Sequence, residues 1–143
     1  MESTEKTVIT VHANVHAPVE KTWKAWTLPE HITKWTNASD DWHTPSAEND
    51  LSVGGKFLTR MEAKDGSFGF DFIGTYDAIY TNELIAYTIA DGRRVTITFT
   101  ANGNETEVVE SFEAETMNSH EMQQGGWQAI LDNFKKYTEQ NEF

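Results

Sequence analysis

The sequence predicts an α+β fold in which a curved antiparallel sheet wraps around a long C-terminal helix, with two short helices after the first strand. Three observations lead to this prediction. The apolar residues follow the pattern of a strand, two helical segments, a series of strands and one long helix, in that order. From residue 50 onward, Asp-Gly and Asn-Gly pairs separate the strand-like runs, and such pairs are typical of antiparallel hairpins. No segment shows the alternation of strands and helices that builds a parallel sheet.

The first strand and the first helix are read from hydrophobic periodicity. Apolar and polar residues alternate over residues 7–15, which predicts a half-buried strand. Pro18 suits the first turn of the following helix, where its missing N–H has no intrahelical partner to lose. One face of that helix is apolar, and its members are Val19, Trp23 and Trp26.

A second short helix is predicted from the spacing of Thr27 and Glu30, which fits a capping box. Its inner face would hold Ile32 and Trp35. Residues 36–47 are rich in small and polar side chains and are interpreted as a loop that runs into a strand.

The middle of the chain predicts a meander of consecutive hairpins. Turn signals separate its strands, and these signals are Gly54-Gly55, Asp65-Gly66, Thr81-Asn82, Asp91-Gly92 and Asn102-Gly103. The predicted strands are Lys56–Met61, Ser67–Tyr80, Leu84–Ile89, Arg94–Thr100 and Thr106–Glu113.

The last element is a long helix with one apolar stripe to bury against the sheet. Asn118 and Glu121 are predicted to form its capping box, and Lys135 and Lys136 are placed near its end, where they suit the helix dipole. The stripe consists of Trp127, Ile130, Leu131, Phe134 and Tyr137. The pair Gly125-Gly126 weakens a helix by about 1 kcal/mol per glycine, so it needs a reason. Close approach to the sheet and a kink that opens a mouth are the two physical options.

Length and composition exclude several classes of protein. The chain has 143 residues, which predicts a single domain over 1–143. Its net charge of −12 makes nucleic acid and anionic lipid surfaces poor partners. An aromatic content of 12% excludes a disordered acidic tail, and the lack of cysteine excludes disulfides and thiol catalysis. Residues 1–6 have no basic or apolar signal, and no apolar run is long enough to span a membrane, so we expect a soluble cytoplasmic protein without membrane insertion.

Several segments together resemble one family over nearly the whole chain. They are Ala17–Thr27, Pro29-Glu30, Lys34-Trp35, Val53–Phe57, Gly74–Tyr76 and Gly126-Trp127 with Leu131 and Phe134. In this order they resemble the family of activator of heat-shock protein 90 ATPase homologues, which is part of the START/Bet v-like (SRPBCC) superfamily. The resemblance implies a helix-grip fold with an internal cavity for lipids, polyketides, flavonoids or other apolar molecules. Because the superfamily contains transporters, cyclases and co-chaperone domains, membership alone does not fix the function.

Aromatic side chains are the strongest signal for a binding site, since flat apolar ligands stack on them. Core packing is the alternative for any single ring. The candidate cavity residues are Trp35, Trp42, Phe70, Phe72, Tyr76, Tyr87, Phe99, Glu110, Phe112, Trp127 and Ile130. Glu110 lies between Val108 and Phe112 on one strand face. It is a buried carboxyl if that face points inward and a solvated one if it points outward.

Polar residues that could carry catalysis concentrate in Asp40-Asp41-Trp42-His43. A carboxylate beside an imidazole can act as acid and base in a pocket, although a solvated acidic loop is the simpler interpretation. His31, His43 and Glu48 have no spacing typical of a metal site, and position 124 is Gln, which excludes a zinc-protease helix starting at His120. We therefore expect no metal and no cofactor. Arg60 either pairs with an acid or meets a ligand carboxylate.

Three functions follow from these residues, in this order. The first is a binding protein that holds a small apolar or aromatic molecule between the C-terminal helix and the sheet. The second is a cyclase-like or hydrolytic enzyme that uses Asp41, His43 or Glu110. The third, which rests on the family resemblance alone, is a chaperone-interacting module of the ATPase-activator type.

Overall fold

The computed structural model describes residues 7–37 and 39–141, so the N-terminal segment 1–6 lies outside the described residues. The elements are β1 (Val8–Val15), α1 (Val19–Thr27), α2 (Pro29–Trp35), β2 (Trp42–Asn49), β3 (Lys56–Ala63), β4 (Gly69–Tyr80), β5 (Leu84–Ile89), β6 (Arg94–Asn102), β7 (Glu105–Glu113) and α3 (His120–Gln140). The seven strands form an antiparallel sheet in the order β1-β7-β6-β5-β4-β3-β2. The sheet curls into a half-barrel around α3, which confirms the predicted α+β helix-grip fold.

The concave face of the sheet is built by strict alternation. In β1 and β7, every second side chain is buried, as a strand with one covered face requires. Val11 of β1 and Ile97 of β6 both stand opposite Glu110 of β7, so their side chains point to the same side. This register fixes the inward face that alternation alone left open.

α3 covers this concave face from one side. Leu131, Phe134 and Thr138 are fully buried along its inner stripe. Phe134 packs edge-on against Trp26 and Trp35, with ring centroids 4.9 Å and 4.8 Å away. α1 and α2 therefore join the core through their tryptophans, as the apolar spacing in the sequence predicted.

The helix caps differ from the prediction. Thr27 ends α1 and donates a hydrogen bond from its hydroxyl to the Trp23 carbonyl, so it does not cap α2. α2 instead begins with Pro29 after Leu28. The first N–H of a helix has no intrahelical partner, so the missing N–H of proline is no loss there. The cap of α3 is Ser119, whose hydroxyl accepts a hydrogen bond from the Met122 N–H, so the predicted box of Asn118 and Glu121 is wrong.

Several strands differ in length from the prediction. The predicted loop at 36–47 is shorter, because β2 already starts at Trp42 and tolerates Pro45 on the edge of the sheet, beside a register shift. β3 continues to Ala63 and β6 to Asn102, whereas β4 begins later than predicted, at Gly69.

α3 ends at Gln140, so Lys135 and Lys136 lie before its last turn and not at the helix end where they were predicted to suit the dipole. Lys135 pairs with Glu139 instead of the helix end. At Gly125 and Gly126 an added Cβ would meet no atom within 4 Å, so close approach to the sheet is not the reason for them.

Candidate functional site

A cavity of about 280 Å³ lies between the concave face of the sheet and the helices α2 and α3. Aromatic and aliphatic side chains make up most of its wall. The lining residues are Trp26, Ile32, Trp35, Thr36, Phe57, Thr59, Met61, Phe70, Phe72, Tyr76, Tyr87, Arg93, Glu110, Trp127 and Ile130. Such a wall, with a few convergent polar groups, is typical of sites for small apolar ligands.

Most of the candidate residues from the sequence lie on this wall. They are Trp35, Phe70, Phe72, Tyr76, Tyr87, Glu110, Trp127 and Ile130. Their role in binding stays a prediction, but the fold brings them together from β4, β5, β7, α2 and α3, which are far apart in the chain.

The remaining candidates, Trp42, Phe99 and Phe112, lie outside the cavity lining. Phe99 is buried in the core against Trp23, with ring centroids 5.2 Å apart. Phe112 is buried behind Trp127, and their rings stack in parallel with centroids 3.9 Å apart. Phe112 therefore supports a wall residue without reaching the cavity. Trp42 lies on edge strand β2 and contacts Phe70 at the rim.

The part of the cavity wall formed by β3 was not predicted from the sequence. Phe57, Thr59 and Met61 alternate along β3 and all face the cavity. Their period of two was a usable signal, but the segment could not be assigned a face without its partner strand. Gly74 stands opposite Phe57, and a Cβ there would lie 2.4 Å from the Phe57 ring. The glycine thus makes room for the aromatic ring. Other lining residues that the prediction omitted are Trp26, Ile32, Thr36 and Arg93.

The aromatic wall is continuous across β3, β4 and β5. The Phe57 ring lies 5.5 Å from Phe72, 5.5 Å from Tyr76 and 4.8 Å from Tyr87, measured between centroids. Trp127 of α3 faces this wall, and its ring lies 6.4 Å from Phe72. A flat ligand in the cavity would therefore lie between rings of the sheet and a ring of the helix.

The Tyr76 hydroxyl is already bonded within the protein. It donates to the Asn49 side-chain oxygen at 2.6 Å, and Asn49 in turn donates to the Thr27 carbonyl at 2.6 Å. Burial raises the pKa of Tyr76 to about 12, so the phenol stays neutral. Burial also raises the pKa of Tyr87 well above its usual range, and a negative charge on Glu110 would raise it further. Both tyrosines therefore present neutral groups.

Glu110 adds a buried carboxyl group to this wall. Only 6% of the residue is exposed, and its neighbours across the sheet are Val11 and Ile97. Among residues 7–37 and 39–141, no group donates a hydrogen bond to its carboxyl or neutralises it. Burial in apolar surroundings raises the pKa of Glu110 to about 8, so the carboxyl is mostly protonated at neutral pH. The inward alternative for this residue is thus correct.

The polar cluster of Asp40, Asp41 and His43 lies outside the cavity and is exposed. His43 Nε2 is 3.7 Å from a Glu62 carboxylate oxygen on the surface. The structure therefore separates these residues from Glu110 and does not bring the predicted acid–base set together. Arg60 forms ion pairs with Glu62 and Asp71, so the alternative in which it pairs with acidic residues of the protein is correct.

Two absences hold for the described part of the chain, residues 7–37 and 39–141. Within it, no group of three His, Asp or Glu side chains is arranged to hold a metal ion. None of its helices is long and apolar enough to cross a membrane.

Comparison with known proteins places the chain in a defined group. Residues 16–139 match the family model described as activator of Hsp90 ATPase homolog 1-like protein. Among curated proteins, none matches.

Several solved protein structures are similar to this chain in fold and sequence. An AHSA1-like protein from Aeromonas hydrophila is 41% identical, with a TM-score of 0.87 over 96% of this chain and 99% of that one. A protein from Cytophaga hutchinsonii is 53% identical, with a TM-score of 0.78 over 96% of this chain and 97% of that one. A protein from Chromobacterium violaceum, at 22% identity and a TM-score of 0.83, covers 94% of this chain and 98% of that one and shares the fold.

Proposed function

We propose that this chain, which belongs to the family of activator of Hsp90 ATPase homolog 1-like proteins, binds a small apolar or aromatic molecule between α3 and the sheet. The observation that carries the proposal is the cavity of about 280 Å³ with an aromatic wall. An apolar, aromatic surface that is partly open to solvent is unfavourable to leave uncovered, so a space of this size needs an explanation. A bound ligand provides one.

The volume narrows the class of ligand. A cavity of ~150 Å³ in another protein holds one benzene ring. Since the cavity here has about 280 Å³, it suits a ligand of about two fused rings. Sterols and long-chain lipids would need more room. Within the wider range of lipid, polyketide and flavonoid-like ligands, the proposal therefore favours the small aromatic compounds.

Thermal unfolding with two probes tests the proposal. Tetralin, a two-ring hydrocarbon, should raise Tm, whereas cholesterol should not. A ligand at ~100 times its Kd adds about 2.7 kcal/mol, which corresponds to roughly 5–11 °C for a domain of this size. Trp127→Ala should reduce the shift, and Trp42→Ala, an aromatic outside the cavity lining, is the matched control. No shift with tetralin, or an equal loss in both variants, would contradict the proposal.

A second candidate function, an acid–base enzyme, is favoured by one observation. Glu110 is a cavity carboxyl whose pKa is raised to about 8, within the range where a group both takes and returns protons at neutral pH. The test is exchange of the α-protons of α-tetralone for deuterium in D2O. Exchange above the buffer rate that disappears in Glu110→Gln would support an enzyme. Equal exchange with and without protein would exclude this reaction.

Chaperone interaction stays a prediction of third rank, since it rests on the family description and not on a surface of this chain. A pull-down with a chaperone of the heat-shock protein 90 class is its direct test. Recovery of a complex would raise it above the enzyme alternative.

A further inference from the structure

We propose that Glu110 forms a polar anchor inside the cavity that selects aromatic ligands carrying a hydrogen-bond-accepting oxygen, such as a ketone carbonyl. The inference rests on the proposed function, because it names the chemistry of the ligand that the same cavity would hold. Glu110 and a carbonyl oxygen would share one hydrogen bond, and the aromatic rings of the wall would hold the rest of the ligand.

The position of Glu110 makes its carboxyl an unusual feature of the wall. Along β7 its inward neighbours are Val108 and Phe112, and across the sheet they are Val11 and Ile97. All four are apolar and buried. A buried polar group without a partner is unfavourable, and in most proteins it is bonded to protein or water. The opening available to Glu110 is the cavity that it lines.

The surroundings of Glu110 favour a neutral ligand over a cationic one. From β5, Tyr87 faces the same cavity, and from the β5–β6 turn, Arg93 does so. From β1, β6 and α3, the neighbouring side chains are apolar: Val11, Ile97, Trp127 and Ile130. An ammonium group would therefore enter a small cavity that already contains a guanidinium, and like charges repel.

Two of the five N–H groups of Arg93 are already bonded within the protein. Its Nε donates to Asp91 at 2.8 Å, and its Nη1 donates to the Glu113 carbonyl at 3.3 Å. Tyr76 is likewise bonded, to Asn49. In the part of the chain that the structure describes, Glu110 has no hydrogen-bond partner, and in its protonated form it has an O–H to donate. A ligand acceptor near β7 would satisfy that O–H, which explains why the carboxyl faces the cavity.

Three probes of the same two-ring size separate the possibilities by calorimetry at about pH 6.5. Tetralin is apolar, α-tetralone adds a carbonyl, and 1-aminotetralin adds an ammonium. We expect α-tetralone to bind at least about tenfold more tightly than tetralin, the equivalent of one good hydrogen bond. Glu110→Gln, which keeps a donor, should retain this preference. Glu110→Met, which lacks one, should bind both probes alike while still binding tetralin.

A pH series adds a readout that depends on the proton itself. Above pH 8 the wild-type carboxyl ionises and loses its O–H, so α-tetralone should bind about tenfold more weakly at about pH 9 than at about pH 6.5. Glu110→Gln has no such proton, and its affinity should stay constant over this range. Tetralin binding should be independent of pH in all three proteins.

Each of the other results overturns a defined part of this account. Equal affinity for tetralin and α-tetralone in the wild type rejects the anchor and leaves the proposed function standing. Tightest binding of 1-aminotetralin rejects it in favour of a carboxylate that pairs with a cation. Binding of none of the three probes rejects the proposed function and the anchor together.

Discussion

The two halves of the concave face differ in how the helices cover them. In the packed half, α3 packs against β1 and α1 packs against β6 and β7, and Leu131 and Phe134 of α3 are fully buried. In the open half, β3, β4 and β5 face α2 and the N-terminal part of α3, where Trp127 and Ile130 are only partly buried and line the cavity. β5 in the open half alternates as strictly as β1 and β7 do in the packed half, whereas β4 does not. For the strands that alternate alike, helix cover and not the sheet decides where the core is solid.

Ring contacts show why the two halves do not fill equally. Where the packed half borders the cavity, the Trp26 ring lies 4.9 Å from Trp35, 4.9 Å from Phe134 and 5.9 Å from Phe99. These rings make a dense wedge, and Trp26 and Trp35 also form part of the cavity wall. In the open half, the contact between α3 and the β4 aromatics is a single edge approach of 6.4 Å, between Trp127 and Phe72. A loosely covered aromatic surface of this kind can accept a ligand where a dense wedge cannot.

The largest effect is expected from Phe134→Ala in the packed half. Truncation of a fully buried aromatic leaves a cavity and should lower the free energy of unfolding by about 3–5 kcal/mol. Urea denaturation measures this. Phe68→Ala is the matched control, since Phe68 is 61% exposed, and it should cost less than about 1 kcal/mol. Equal losses in the two variants would remove the distinction between a packed core and a rim.

The next largest effect is the pH dependence contributed by Glu110, at the border of the two halves. Its pKa rises from 4.5 to about 8 on folding, so the folded state binds the proton more tightly. This contribution to stability is complete below pH 4.5 and is lost as the pH rises toward 8, at up to about 1.4 kcal/mol per unit.

Denaturation of the wild type and Glu110→Gln at about pH 5.5 and pH 7.5 isolates this contribution, since the other titrating groups are shared. The wild type should lose about 2–3 kcal/mol relative to the variant as the pH rises. Parallel curves for the two proteins would mean that Glu110 is solvated or paired in solution.

The packed half was the part that the sequence predicted best. Alternation in β1, the apolar spacing of α1 and the stripe of α3 each gave one correct face, because burial on one side imposes a simple period. The cap of α3 was predicted one residue too early, since Asn118 and Ser119 are adjacent and both can cap a helix. A one-residue choice between two suitable side chains depends on the entry angle of the chain, which tertiary contacts set.

The open half was predicted only in part, for a related reason. The sequence did not distinguish Phe112 from Trp127. In the structure, Trp127 lines the cavity and Phe112 stacks behind it. Phe57 was missed because its place on the wall depends on Gly74, its partner in the next strand. A cavity is the space between elements, so its lining depends on register and helix placement, which local patterns do not encode.

In the open half, Trp127→Ala should affect binding more than folding. The side chain is partly buried and faces the cavity, so its removal should weaken tetralin binding about tenfold, or about 1.4 kcal/mol. Its stability loss should be smaller than that of Phe134→Ala, because part of its surface is already hydrated. Calorimetric titration and urea denaturation of the same samples give both numbers. A variant that binds normally but unfolds as readily as Phe134→Ala would assign Trp127 to the packed half.

The smallest effect concerns Gly125 in the exposed first turns of α3, where the open half begins. A Cβ at this position meets no atom within 4 Å, so Gly125→Ala should stabilise the fold by about 0.5–1 kcal/mol through helix propensity. Gly103→Ala is the control, because its φ of 65° is unfavourable for alanine and should give a loss. Tetralin affinity should stay within about twofold in Gly125→Ala, since the glycine does not line the cavity. If affinity falls while stability rises, the ligand-bound state requires a conformation of the first turns of α3 that alanine disfavours.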